Sequence, residues 1–341
     1  MSGTFARIVA VAGHLPSGVL PNRELATLYP DWSEEKIFQK TGIRERRVAG
    51  ADETATDLAT QAALRLFADH DIRKESIDFL LFCTQAPDYF LPTSACLIQD
   101  RLGLSTACGA LDINLGCSGY VYGLSLAKGL IESGSASRVL LLTADTYSKF
   151  IHPLDKSVRT LFGDGATATV LEGVQAERAY IGPFVFGSDG SGAENLIVRT
   201  GGLRHPRTAA SAQEKADDSG NVRSDDNLFM DGAAVMNFTL TAVPKAVTEL
   251  MAAAHMTMEE TDLVVMHQAN AYMLEALRKK MHIPREKLVF HLEYCGNTVS
   301  STIPFALEGL LAGNVANHGR RRAMLVGFGV GYSWAGTYVT I

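Results

Sequence analysis

Apolar residues in this chain come in two rhythms. Short unbroken runs occur at 7-RIVAVAG-13, 77-IDFLLFCT-84, 110-ALDINLG-116, 138-RVLLLTAD-145, 166-ATATVLEG-173, 262-DLVVMHQ-268, 287-KLVFHL-292 and 323-AMLVGFG-329. Each has the length of a buried strand. Between them lie stretches whose apolar positions return every three or four residues, at 53–71, 92–102, 117–134, 239–255, 269–281 and 300–313. These predict amphipathic helices, and Gly134 stands where a glycine just past a helix end belongs. Strands alternating with helices of this length predict an α/β fold with buried sheets.

The order of elements repeats. In the first part IDFLLFCT, a helix, a strand ending at Gly116, a helix from Cys117 and RVLLLTAD follow one another. In the second part the matching series is TDLVVMHQ, a helix, LVFHLEYCGN, a helix from about Thr298, and RRAMLVGFG. A duplicated α/β unit accounts for the match; so, less specifically, does any alternating α/β chain. Duplication brings equivalent loops of the two halves together near a pseudo-twofold axis. Cys117, His267 and Asn297 all fall at strand-to-helix junctions, where α/β folds place their chemistry. On this reading the chain divides into a first half at 1–180, a connecting excursion at 181–228 and a second half at 229–341. Residues 190–228 are polar and glycine-rich, with almost no periodic apolar positions. They fit a surface cover over a site, or a disordered stretch.

Composition narrows the function classes. Of 341 residues, 47% are hydrophobic and 20% charged, enough for a sizeable core. A net charge of −6 argues against general nucleic-acid binding and leaves only local basic spots at 44-RERR-47 and 320-RRR-322. Cys83, Cys96, Cys108, Cys117 and Cys295 are odd in number and scattered, unlike a disulfide framework or a zinc site. They predict a cytoplasmic protein. The apolar N-terminal run leads straight into domain-like sequence and lacks the basic region of a signal peptide. No stretch approaches the roughly 18 uninterrupted apolar residues of a membrane span, so no membrane association is expected.

The segment 112-DINLGCSGYVYGLSLAKGL-130 places Cys117 between Gly116 and Ser118, at the join of a predicted strand and helix. A free cysteine there can be a small buried hydrophobe. It can equally be a nucleophile, since unpaired amides at a helix start favour a thiolate and the glycines admit a substrate. Cys295, in 293-EYCGN-297, is the competing thiol. A cysteine nucleophile commonly needs a nitrogen base or donor. His267 closes the run 262-DLVVM-266 and opens 267-HQAN-270, at the carboxyl end of a buried strand, where catalysis and capping are both open readings. His70, His255, His282 and His318 read as surface residues, His14, His152 and His205 as turn or loop residues, and His291 as a satisfied, partly buried one. Asn297 ends a strand before 298-TVSSTIP-304 and reads as a turn, cap or site residue. The loop 327-GFGVGYSWAG-336 can present amides to an anion but lacks a dinucleotide fingerprint. Asp164, in 163-GDGA-166, is explained by a turn.

Together these segments resemble the beta-ketoacyl-acyl-carrier-protein synthase III family, within the thiolase-like condensing enzymes. The likeness runs through nearly the whole chain, from 7-RIVAVAGHLP-16 onward. It is carried by 41-TGIRERR-47, 112-DINLGCSGYVYGL-124, 161-LFGDGA-166, 267-HQAN-270, 294-YCGNTVSSTIP-304 and 327-GFGVGYSW-334. The resemblance implies a duplicated five-layer α-β-α-β-α thiolase-like fold, usually a homodimer. It implies a triad of Cys117, His267 and Asn297, with the backbone amides of Cys117 and Val330 as an oxyanion hole. An acyl group from acyl-CoA or an acyl carrier protein (acyl-ACP) would pass to a Cys117 thiolate. Malonyl-ACP or malonyl-CoA would then lose carbon dioxide and condense with it. His267, as a neutral donor, and Asn297 would stabilise the enolate. CoA or phosphopantetheine thioesters are the implied substrates and an acyl carrier protein the implied partner, with no metal or redox cofactor.

The chain departs from the fatty-acid primer enzymes of the family around its carrier-binding positions. Lys36 and Lys40 stand where those enzymes carry a tryptophan and an arginine before TGIRER, and a lysine lacks planar stacking and a bidentate fork. Tyr272 replaces an arginine after HQAN, Val330 replaces an oxyanion-loop glycine, and Leu91 replaces an aromatic residue before Pro92. Arg44, Gln268 and Asn270 complete the expected substrate or carrier contacts. These departures weaken acetyl-CoA as donor and leave fatty-acid biosynthesis and polyketide or specialised metabolism both open. An acyltransferase forming an ester or amide without decarboxylation is the alternative, disfavoured by Asn297. A catalytically silent partner subunit is disfavoured by the intact triad.

Overall fold

The structure is a computed structural model and describes residues 3–312 and 321–341. The readings that fall on residue 313, His318 and Arg320 lie outside the described residues. Two mixed sheets organise the chain. The first has the spatial order Gly3–His14, Gly165–Ala176, Arg138–Asp145, Phe79–Cys83, Gly109–Ile113. The second has the order Ile181–Ser188, Ser333–Thr340, Arg322–Gly329, Leu263–Met266. In each sheet the first three strands pair antiparallel and the third and fourth pair parallel. Gly109–Ile113 extends the first sheet in parallel, and a single parallel bridge from Leu288 to Val264 extends the second. The two sheets therefore share one order and one set of strand senses, as duplication predicts.

Period-two alternation in the strands sorts side chains into layers. Leu80, Phe82, Leu140 and Leu142 face the helices Ala55–Asp69 and Ser94–Leu102. Leu81, Val139 and Leu141 point the other way, onto the helices Gly119–Glu132 and Thr302–Ala312. Those two helices also pack on Val265, Ala323 and Leu325 of the second sheet. Its opposite face, with Val264, Met266, Met324 and Val326, packs on the helices Gly232–Ala254 and Ala271–Lys280. The result is the expected five-layer α-β-α-β-α fold. The central helices are apolar on two sides because both sheets press on them.

Three expectations are corrected. Residues 287–292 form no strand beyond the bridge at Leu288. The Gln268 side chain takes over, with Nε2 donating to the Val289 carbonyl at 3.3 Å and Oε1 accepting the His291 N–H at 2.8 Å. Ile181–Ser188, assigned to the connecting excursion, is an edge strand of the second sheet. The polar stretch beyond it is ordered into short ribbons: Leu196–Val198 pairs with Leu228–Met230, and Lys215–Ala216 with Val222–Arg223. Leu196 and Leu228 pack in one cluster with Cys117, Tyr147, Phe162 and Val299, so the stretch roofs the nucleophile candidate. Among the described residues, no helix is long and apolar enough to cross a membrane.

Candidate active site

Cys117 sits in the turn after Gly109–Ile113, and the helix starts at Gly119, two residues later than the sequence pattern suggests. The Arg322–Gly329 strand passes directly over this turn. A Cβ at Gly327 would lie 2.7 Å from the Ser118 Cα, and one at Gly329 would lie 2.8 Å from the Cys117 Sγ. Only glycine permits so close a crossing. Just past it, the Val330 N–H and the Cys117 N–H both reach the Cys117 sulfur. Burial nevertheless pushes this thiol up to about 12, and the Asp145 carboxylate adds to the rise. The thiolate expected from a helix start is therefore corrected to a protonated thiol, because desolvation outweighs the two amides.

His267 follows the end of Leu263–Met266, and its N–H is held by the Val326 carbonyl at 2.9 Å. Its ring meets Phe328 edge-on at 5.5 Å, and Nδ1 lies 2.8 Å from the Thr302 hydroxyl. Burial lowers its pKa to about 3, so the imidazole is neutral, as expected. Asn297 is clamped by its backbone: its N–H donates to Leu161 at 2.9 Å and its carbonyl accepts from Gly163 at 3.0 Å. Its Oδ1 accepts the Val299 N–H at 2.9 Å, which turns Nδ2 toward His267 Nε2 at 3.5 Å. Cys117, His267, Asn297 and Asn270 line one cavity of about 190 Å³, walled by Phe162, Phe328 and Gly329. Val330 faces an adjoining cavity of about 750 Å³ with Gln85, Tyr147 and Phe150, and Leu196 borders both.

The remaining expected site residues divide. Asn270 lines the smaller cavity while its Oδ1 caps the Ala271–Lys280 helix at the Met273 N–H. Gln268 is fully buried and its amide is spent on backbone partners, so it is corrected from substrate contact to structural tie. Leu91 is 82% exposed, outside both cavities, and Tyr272 is 68% exposed. Arg44 pairs with Glu293 and stacks over Phe38. Cys295 is buried with its thiol pushed up to about 12 and lines neither cavity.

Two further residues, Trp32 and Asp145, escaped the sequence reading. The Lys36 and Lys40 ammonium groups lie 5.8 and 5.4 Å from the Trp32 ring, which borders a cavity of about 260 Å³ with Tyr29 and Lys156. Lys36 and Lys40 are four apart on the Glu34–Thr41 helix and share a face, but Trp32 precedes that helix, so helical spacing carried no signal for it. Asp145 accepts the N–H groups of Gln85 at 2.9 Å and Ser300 at 3.2 Å, and burial raises its pKa to about 7. A charged residue closing the run 138-RVLLLTAD-145 was its signal.

Family models described as 3-oxoacyl-[acyl-carrier-protein] synthase III, and the C-terminal part of the same enzyme, match residues 111–190 and 251–341. A beta-ketoacyl-[acyl-carrier-protein] synthase III of Caldanaerobacter subterraneus is 33% identical over 98% of this chain and 97% of its own. The chain belongs to the 3-oxoacyl-[acyl-carrier-protein] synthase III family. A solved 3-oxoacyl-(acyl-carrier-protein) synthase III is 60% identical, with a TM-score of 0.97 over 99% of this chain and 100% of that one. A solved 3-oxoacyl-(acyl-carrier protein) synthase from Burkholderia xenovorans is 37% identical, with a TM-score of 0.89 over 100% of this chain and 95% of that one. This synthase III family member is thus an acyl-transferring, condensing enzyme of the thiolase-like fold, of the kind that serves fatty-acid biosynthesis.

Proposed function

We propose that Cys117 takes an acyl group from a CoA or phosphopantetheine thioester and that the acyl group then condenses with a malonyl thioester. The supporting observation is the sulfur of Cys117 under two backbone N–H groups, in the cavity that also holds His267 and Asn297. The sulfur attacks the thioester carbonyl carbon. Its proton passes to His267 Nε2 and then to the departing thiol. Charge on the carbonyl oxygen is received by the N–H groups of Cys117 and Val330. In the second stage the malonyl group loses carbon dioxide, and Asn297 Nδ2 donates to the enolate oxygen. The enolate carbon attacks the acyl carbon and releases the Cys117 sulfur as thiolate. The charge of the lost carboxylate ends on that sulfur, so condensation consumes one proton per turnover. His267 Nε2 is the route for it, and acts as a donor while it holds that proton.

The carrier arm enters past Asn270, with the basic and aromatic edge of Trp32, Lys36 and Lys40 meeting the phosphates of CoA or of an acyl carrier protein. Tyr89, Phe90 and Leu91 form an exposed apolar strip that supports a homodimer. All five cysteines are free, which supports a cytoplasmic location. The test is protein mass after incubation with a panel of acyl-CoA and acyl-ACP donors, with labelled carbon dioxide release from malonyl thioesters followed in parallel. An adduct mapped to Cys117 followed by carbon dioxide release is expected. An adduct on Cys295, or acyl transfer with no carbon dioxide from any malonyl donor, refutes the reading.

A further inference from the structure

Val299 has φ +55°, and it is the one β-branched residue in the left-handed region among the described residues. Such a conformation persists only where surrounding structure compels it, and it clusters at working sites. Here it aims both polar groups of one peptide residue at the active site. The Val299 N–H holds Asn297 Oδ1 at 2.9 Å, and the Val299 carbonyl accepts the Thr302 hydroxyl at 3.1 Å. Thr302 Oγ1 in turn lies 2.8 Å from His267 Nδ1.

We propose that Thr302 is a positioning residue that holds His267 as its Nδ1–H tautomer, leaving the Nε2 lone pair facing Asn297 and the Cys117 cavity. Two observations point the same way. A carbonyl oxygen can only accept, so the Thr302 proton is spent on Val299 and Oγ1 accepts from Nδ1–H. Were Nδ1 bare, one hydroxyl proton would face two buried acceptors and leave one unpaired. At the other edge of the ring, Asn297 Oδ1 is committed to Val299, so the group facing Nε2 is an amide donor and Nε2 is its acceptor. Burial keeps the ring neutral between proton transfers. At rest Nε2 is then a base, matched to a thiol that is itself protonated, and it becomes the donor of the enolate stage only once it has taken up a proton. The inference rests on the condensing reading only for the use made of Nε2.

The test uses full-length protein labelled with ¹⁵N-histidine, with the His267 signals identified by their loss in His267→Gln. Long-range proton–nitrogen spectra should show Nδ1 protonated and Nε2 bare in the wild type. Thr302→Val should bring in the opposite tautomer. It should also slow single-turnover acylation about tenfold, the worth of one ordinary hydrogen bond, while the donor KM stays unchanged. Thr302→Ser should restore both readouts. A wild-type spectrum with Nε2 protonated overturns the proposal, as does a Thr302→Val protein with unchanged tautomer and rate. If Thr302→Val does not fold, the wild-type spectrum and the serine variant still decide. The spectrum needs no turnover, so a protein that never acylates Cys117 overturns the condensing reading alone.

Discussion

Replacing Gly329 by alanine tests the crossing of the Arg322–Gly329 strand over the nucleophile. The new Cβ would stand 2.7 Å from the Cys117 Cβ and 2.8 Å from its Sγ, where ordinary contact begins at 3.4 Å. The strand end or the cysteine must therefore yield by about 0.7 Å to bring the closer contact out to 3.4 Å. Cys117 is packed among Tyr147, Phe162 and Leu196, so the shift passes largely into the 329–331 loop and carries the Val330 N–H with it. Displacements of about 1 Å in reacting groups cost on the order of 10²-fold in rate. Single-turnover acylation, followed by protein mass, should fall on the order of 10–100-fold while the protein stays folded. Gly129→Ala is the control, because nothing lies within 4 Å of that Cβ, in the Gly119–Glu132 helix. It should keep the acylation rate and raise stability by about 1 kcal/mol, or about 1 °C in Tm for a chain of this size. Wild-type acylation in Gly329→Ala would refute the proposed placement of the Val330 amide.

Three other outcomes are expected. Because burial raises the Cys117 pKa to about 12, its thiolate fraction grows with pH throughout the neutral range. Its alkylation by iodoacetamide should still climb about tenfold per pH unit beyond the ordinary thiol value of about 8.5; a plateau below that value contradicts the assignment. Asn297→Ala should reduce carbon dioxide release on the order of 10²-fold and leave acylation of Cys117 nearly intact; equal losses in the two stages would sink the division of labour. Removing the Lys36 and Lys40 side chains should raise the donor KM more than it lowers the chemical rate, and added salt should shrink the effect. A KM unchanged at low ionic strength takes both lysines out of the donor site.

The layers were legible because strand periodicity is local: Leu80 and Leu81 are neighbours in sequence and face opposite helices in the fold. Cys117 and His267 were legible because each follows an apolar run, and Asn297 because 296-GN-297 marks a turn before 298-TVSSTIP-304; the structure brings all three to one cavity. What failed depends on distant partners. The acidity of Cys117 is set by burial and by Asp145, neither visible in 116-GCSG-119. Gln268 lies within the same four-residue motif as His267, yet its amide serves Met266, Val289 and His291. Trp32 lies outside the Glu34–Thr41 helix, and only the folded turn brings its ring to Lys36 and Lys40.

The duplication explains why the site needs both halves. Each half runs from a strand through an outer helix to a parallel pairing, Gly109–Ile113 in the first and the single bridge at Leu288 in the second, and then to a central helix shared between the sheets. In the first half the junction before that helix is a turn carrying Cys117, tight under Gly327 and Gly329 of the second half. In the second half the equivalent junction is the segment from Asn297 to Thr302, bent at Val299 and tied back to the first half. Asn297 reaches it through Leu161 and Gly163, Ser300 through Asp145, and Ser301 through Thr143. One copy spends its junction on the nucleophile and the other on Asn297, while His267 faces the same cavity from the end of the Leu263–Met266 strand. A single copy would supply either the sulfur or its partners, so the proposed chemistry depends on how the two central helices pack between the sheets.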